Sequence, residues 1–348
     1  MRVLFLFCAV TVLASCPKPA PVVVELTDVA LEGETMGSTW HIKVKAPADK
    51  TTDVEALQGP IDTTLERIND EMSTYRPNSE ISRFNTQTTS APVPISHELA
   101  VVVQKSLDVG KATDGAYDIT IDPLINLWGF DRKGRRETPP TDAEIAEAKK
   151  HTGLPLIALS GDTLTKVDPE VKINLGGIAA GYAVDVVSAL LDARGFHDYM
   201  VEITGELAAK GTNAKAQPWK IGVKVPDLES HDVLAALPVA NRSLTTSGTY
   251  HNFFEDKGKR YSHILDPRTG APVTGDLVSV TVMYSDAVTA DGYDTPFIIL
   301  GEERARAIIA KTPGMEALFI HQDPAGGYKV TTTAGFPKIA RAPSGSAP

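Results

Sequence analysis

The sequence predicts a single α+β domain. Helical repeats and alternating strands both occur, but not in the regular alternation that a doubly wound sheet requires. No linker-like stretch or internal repeat interrupts the 348 residues between the two ends. With 42% hydrophobic and 22% charged residues, the composition is that of a globular chain able to bury a core.

In chain order, Trp40, Ile42 and Val44 alternate with His41, Lys43 and Lys45, which predicts a half-buried strand. Leu57, Ile61, Leu65, Ile68 and Met72 recur at helical spacing, so an amphipathic helix is expected over about 53–74. A second helix follows Ser96. A third starts at Thr141, where Thr141 and Glu144 form a capping box after Pro139-Pro140. Gly181 to Ala193 reads as a helix ended by Gly195. Trp219, Ile221, Val223 and Val225 alternate, as do Val278, Val280 and Val282, and both segments read as strands with one exposed face. A hairpin turns at Asp256-Lys257-Gly258. A helix over about 302–311 and strands near 317–320 and 328–331 complete the pattern.

The N-terminus reads as a targeting segment, with Arg2 followed by an apolar run from Val3 to Leu13 that is too short to span a bilayer. Leu13-Ala14-Ser15-Cys16 then reads as a lipobox, the signal for acylating and cleaving before a bacterial lipoprotein cysteine. The expected organisation is a signal peptide at 1–15, a tether at 16–27, one domain at 28–338 and a disordered tail at 339–348. Cys8 and Cys16 are the two cysteines, and Cys8 would leave with the signal. Neither a disulfide framework nor a cysteine zinc site is then available. Loss of Arg2 with residues 1–15 moves the formal charge from −10 to −11, which argues against nucleic acid as a partner. Acyl chains on Cys16 would hold the protein to the membrane.

One hexapeptide concentrates the oxygen chemistry: Ala290-Asp291-Gly292-Tyr293-Asp294-Thr295. If it is helical, Asp291, Asp294 and Thr295 share a face, and an oxygen-only set of that kind suits a hard cation such as Mg²⁺. The alternative is that Asp291 caps the helix and Asp294 favours its dipole. The glycines of Ile173 to Gly181 sit at a strand-to-helix junction, where backbone N–H groups can approach a phosphate. Neither a Walker loop nor the G-x-G-x-x-G spacing is present, and tight helix–strand packing explains the glycines equally well. His263 reads as a strand residue beside a Ser/Thr-rich segment, available as a base near neutral pH.

Taken in order, these segments resemble the ApbE family of FAD:protein FMN transferases. The matching pieces are Glu34 to Ser38, Met72 to Pro77, Gly115 to Asp118 with Leu127 to Phe130, and Asn174 to Asp185. They continue with Val201 to Glu206, Thr246 to Gly248, Ser262 to Gly270, and Ala290 to Thr295. The resemblance spans roughly residues 30–335. It implies an α+β domain that binds FAD with Mg²⁺, passes FMN to a Ser or Thr hydroxyl of an acceptor protein, and releases AMP. The acceptors it implies are subunits of membrane flavin oxidoreductases with an Asp-x-x-Ser/Thr-Gly-Ala-Ser/Thr-like motif. It places the metal on Asp291, Asp294, Thr295 and the Gly177 carbonyl. The flavin site falls on Met36, Tyr75, Ala116, Tyr117, Asp118, Asn174, Ala180 and Ile264, and the base is His263. The chain departs from the family pattern at Asn174, usually Asp, and at Ala180, often charged. A lipid-anchored, periplasm-facing location in the bacterial envelope also follows from the resemblance. Two alternatives use the same residues: a metal-dependent FAD pyrophosphatase, and a flavin-binding lipoprotein without chemistry.

Overall fold

A computed structural model describes residues 24–131, 136–227 and 233–341. Cys8, Cys16, the expected signal peptide and most of the expected tether lie outside these residues, as does the end of the expected tail. Among the described residues no helix is long and apolar enough to cross a membrane.

The centre is an eight-stranded antiparallel sheet: β1 (Leu26–Thr35), β2 (Ser38–Pro47), β3 (Tyr199–Ile203), β4 (Glu206–Lys210), β5 (Arg242–Gly248), β6 (Leu277–Tyr284), β7 (Glu316–Gln322) and β8 (Tyr328–Thr332). Their order across the sheet is their order in the chain, so no main-sheet connection crosses another. The long excursions between β2 and β3, and between β5 and β6, carry most of the other elements. β1 and β2 meet at Met36-Gly37, both with positive φ (52° and 76°), the two-residue turn that suits the twist of a hairpin.

The helices are α1 (Thr51–Glu55), α2 (Gln58–Met72), α3 (Glu80–Thr86), α4 (His97–Ala112), α5 (Asp122–Trp128), α6 (Asp142–Lys149), α7 (Ala179–Ala193), α8 (Ala287–Leu300) and α9 (Glu302–Ile309). The single helix expected over 53–74 is therefore broken at Ala56-Leu57. Pro60 explains the break: inside one continuous helix it would remove the bond to the Ala56 carbonyl, whereas in the first turn of α2 its missing N–H costs nothing. Ser96 caps α4 by accepting from the Leu99 N–H, and the Thr141–Glu144 capping box opens α6.

One core lies between the helices and one face of the sheet, around Trp40, Ile42, Leu65, Ile68, Val184, Val280, Val282 and Phe297. The other face is covered by a small sheet in which Val233–Val239 pairs with Trp219–Lys224 and with Ala340–Arg341. Leu207, Leu244, Met283 and Leu318 pack there against Trp219, Ala235 and Leu237. The strand carrying Val280 and Val282 is consequently buried on both faces, contrary to the one exposed face expected from its alternation. Its polar positions find partners inside: Ser279 Oγ donates to the Ser247 carbonyl at 3.0 Å, and Thr281 Oγ1 lies 2.8 Å from Thr246 Oγ1. β1 begins at Leu26, two residues before the expected domain start. Ala340–Arg341 pair with Ala236 and Ala235 in a segment expected to be disordered, because a two-residue strand carries no readable periodicity.

A third cluster joins distant parts of the chain. Leu124, Trp128 and Leu265 pack with Phe254 and Tyr261 of the hairpin formed by Phe253–Asp256 and Lys259–Ser262. Trp128 Nε1 donates to the Gly270 carbonyl at 2.8 Å. The segments around 128 and 262–270 thus form one unit, and it is this unit that holds His263.

Candidate active site

Two helices packed at close range form the floor of the site. A Cβ at Gly181 in α7 would stand 2.5 Å from the Ala287 carbonyl oxygen and 2.7 Å from Asp291 Cβ, so only glycine permits this approach. The Gly181 N–H donates to Asp291 Oδ2 at 2.8 Å. One turn further along α7, Asp185 accepts from the Ala287 and Val288 N–H groups, each at 2.8 Å, and satisfies two orphan donors at the start of α8. The N-cap of α8 is Asp286, which accepts from the Thr289 N–H at 2.9 Å. Asp291 is therefore not a cap. It sits in the helix interior, 4% exposed, with Asp294 one turn on at 1%.

Asp291, Asp294 and Thr295 do share one helix face, and it points at β5. Ser247 Oγ of β5 donates to Asp294 Oδ1 at 3.0 Å and is in short hydrogen-bond contact with Thr295 Oγ1. A third carboxylate joins from β4: one oxygen each of Glu206, Asp291 and Asp294 lies within 4.8 Å of the others. Asp294 Oδ2 and Glu206 Oε2 are sealed from solvent without a hydrogen-bond partner. Burial, then the neighbouring carboxylates, pushes Glu206 and Asp294 well above the usual carboxylate range, and burial pushes Asp291 up to about 7. Tyr117 borders the cluster. Burial raises its hydroxyl, Asp291 and Asp294 add to that, and the group lies 3.4 Å from the Gly177 carbonyl, to which it donates. Buried acceptors crowded together with orphaned lone pairs are what a cation would relieve, and an all-oxygen set fits Mg²⁺.

Four of the expected flavin residues come together. Met36, Tyr75, Asn174 and Ala180 line one cavity of about 480 Å³, with Gly176, Ala179 and Thr204. A neighbouring cavity of about 740 Å³ shares Tyr75 and Asn174 and adds Asp122, Asn126 and His151. The first turn of the 15-residue α7 thus lies in the wall of a cleft, where helix N–H groups favour an anion. Asn174 is held by Asp122, whose Oδ1 accepts from its Nδ2 at 3.1 Å, and it accepts from the Gly176 N–H at 2.9 Å. Tyr75 is 58% exposed and stands in the wall common to both cavities. Ala116, Tyr117, Asp118 and Ile264 do not line either cavity. Ala116 and Ile264 are buried, and the Asp118 carboxylate is taken up locally by Thr120 N, Thr120 Oγ1 and Leu154 N.

His263 lies in the bend just past the hairpin strand that ends at Ser262, not within a strand as its sequence context suggested. Its backbone N–H donates to the Asn252 carbonyl at 2.9 Å, and Nδ1 is 3.1 Å from the same oxygen. A carbonyl can only accept, so Nδ1 carries the proton and Nε2 keeps a free lone pair. Burial lowers the imidazole below its ordinary value, which favours the neutral form. Phe130 meets the ring edge-on at 6.5 Å.

Sequence reasoning assigned no role to Glu206 or Ser247, although both fall in segments it singled out. The available signal was strand alternation: Ala208 packs on the helix-side core, so a carboxylate two residues earlier shares that inward face.

A model of the ApbE family matches residues 36–319. The chain is 41% identical over 325 residues to the FAD:protein FMN transferase of Vibrio cholerae, a match covering 93% of this chain and 94% of that protein. Its identity to the FAD:protein FMN transferase of Haemophilus influenzae is 36% over 333 residues, 94% of each. Among solved structures, it is similar to the flavin transferase ApbE from Vibrio cholerae, with a TM-score of 0.81 and 39% identity over 89% of this chain and 98% of that one. The apo form of Pseudomonas stutzeri flavinyl transferase ApbE gives a TM-score of 0.80 and 35% identity over 90% and 96%. With this agreement across nearly the whole described fold, the chain belongs to the ApbE family.

Proposed function

We propose that this chain is an FAD:protein FMN transferase that moves FMN from FAD to a Ser or Thr hydroxyl of an acceptor flavoprotein subunit and releases AMP. The observation that carries the reading is the Gly181–Asp291 hydrogen bond. It joins the helix that lines the cleft to the helix that bears the buried carboxylates. In this reading Asp291, Asp294, Thr295 and the Gly177 carbonyl hold Mg²⁺. Bound there, the ion supplies charge neutralisation for the pyrophosphate and the departing AMP.

The chain's own groups do the rest. Met36, Tyr75, Asn174 and Ala180 form the walls that orient FAD, and the first turn of α7 faces its pyrophosphate. Asn174, restrained by Asp122 and Gly176, presents a fixed amide where the family usually has a carboxylate. The acceptor hydroxyl oxygen bonds to the FMN phosphorus as the bond to the AMP phosphate breaks. The hydroxyl proton passes to His263 Nε2, the one ring nitrogen with a lone pair. Ala116, Tyr117, Asp118 and Ile264 act from outside these cavities, Ala116 and Ile264 as buried residues. Tyr117 does so through the Gly177 carbonyl, and Asp118 by fixing the turn at Thr120. Acylation of Cys16 would tether the domain to the periplasm-facing membrane surface, where acceptor subunits of membrane flavin oxidoreductases lie.

Purified protein with FAD and Mg²⁺, with and without an acceptor subunit, tests this reading. AMP should appear with acceptor. AMP released equally without acceptor would instead make the chain a pyrophosphatase, and FAD bound without any AMP would make it a carrier. Cys16→Ser should move the protein out of the detergent phase, and an unchanged phase and mass would remove the anchor from the account.

A further inference from the structure

We propose that Glu206 is a direct ligand of the cation held by Asp291 and Asp294, and that this third carboxylate lets the site load a hard divalent cation before FAD arrives. The inference rests on the metal reading above and extends it to a residue from a different element. Glu206 opens β4 just after the Thr204-Gly205 turn, and its carboxylate reaches across to α8. Oxygens of the three carboxylates lie within 4.8 Å of one another. Oxygens on one octahedral Mg²⁺, each at about 2.1 Å, stand about 3.0 Å apart when adjacent and about 4.2 Å when opposite, so the three carboxylates close by up to about 2 Å to share a single ion.

The hydrogen-bond accounting points the same way. Glu206 Oε2 is buried and has no hydrogen-bond partner. Asp294 likewise has a buried, partnerless Oδ2, with Oδ1 bonded to Ser247 Oγ. Among the described residues, no Lys, Arg or His pairs with Glu206, Asp291 or Asp294. Glu206 and Asp294, two carboxylates of one cluster, thus each keep a buried oxygen without a partner, which a cation would satisfy.

The charge count gives the consequence. Two carboxylates only just neutralise one divalent ion, and the neutral Thr295 hydroxyl, the Gly177 carbonyl and water add no charge to hold it. With Glu206 as a third carboxylate, the protein alone holds the ion in excess of neutrality, and binding no longer waits for nucleotide.

Titration of the purified, nucleotide-free protein with Mn²⁺, followed by the loss of the free-ion electron paramagnetic resonance signal, reads this directly. Wild type should bind Mn²⁺ without FAD, Glu206→Gln should bind it at least tenfold more weakly, and Asp294→Asn should lose it. In EDTA, Glu206→Gln should melt no lower than wild type, because it removes like-charge repulsion; Glu206→Ala serves if the amide misfolds. Equal Mn²⁺ affinity in wild type and Glu206→Gln, with loss in Asp294→Asn, would overturn the role of Glu206 and leave the metal site standing. Unchanged affinity in both variants would overturn the metal site itself.

Discussion

The Gly181 N–H and Asp291 Oδ2 are 2.8 Å apart, and this bond couples two functions that lie on different helices. Gly181 belongs to the turn that lines the cleft, and Asp291 to the carboxylate cluster. The absence of a side chain at 181 lets the backbones approach closely enough for the bond to form. Gly181→Ala would put a methyl group against backbone atoms of Ala287, which cannot rotate away. Overpacking of this kind typically costs about 1–3 kcal/mol. Urea denaturation should show that loss together with reduced turnover, and wild-type stability would mean that the helices can part without consequence.

His263 should set the acidic limb of the rate profile. A base must be neutral to act, and burial holds its pKa below the ordinary value near 6.5. Transfer at saturating Mg²⁺ should therefore fall as pH drops, with a midpoint below 6.5. His263→Ala should keep FAD binding, lose about 10²–10⁴-fold in rate and lose this limb. A variant with near-normal rate and weakened FAD binding would reassign the imidazole to ligand contact.

Asp185, one turn along α7 from Gly181, gives a separate stability test. Its pKa is raised from 3.8 to about 6, chiefly by burial and against the pull of the Ala287 and Val288 N–H groups. The folded state thus holds a proton that the unfolded state has released. The contribution is fully present below pH 3.8 and is lost as pH rises through about 6. A two-unit shift corresponds to roughly 3 kcal/mol. Asp185→Asn should make urea stability fall less steeply between about pH 4 and 6, measured in EDTA, with the slope that remains belonging to the Asp291 cluster, and an unchanged slope would place the titration elsewhere.

Much of this arrangement is legible in the sequence, wherever a local rule governs it. The helical spacing of Ile61, Leu65 and Ile68, the Thr141–Glu144 box and the alternation at Trp40 are properties of neighbouring residues, and each element formed. Asp291, Asp294 and Thr295 share a face for the same reason. What could not be read is what packs on each element. β6 alternates like a half-exposed strand, but a second sheet covers it, and its Ser and Thr residues bond to β5. The break before Pro60 follows from one missing N–H that the hydrophobic repeat hides. Glu206 and Ser247 joined the cluster through pairing of strands distant in the chain, and alternation marks their inward face but not the partner they meet there. The family resemblance, carried by eight ordered segments, supplied the flavin residues, and four of them meet in one cavity.

The measurement that bears most directly on the account is covalent flavin on a purified acceptor subunit, read as a mass increase, with wild-type protein in Mg²⁺, wild-type protein in EDTA, and Asp291→Asn in Mg²⁺. The amide keeps an oxygen for the Gly181 N–H and so should preserve the fold, while removing a charged ligand. The account predicts flavinylated acceptor in the first case, none in EDTA until Mg²⁺ is restored, and nearly none with a folded Asp291→Asn. Full flavinylation by Asp291→Asn, insensitive to EDTA, would contradict it.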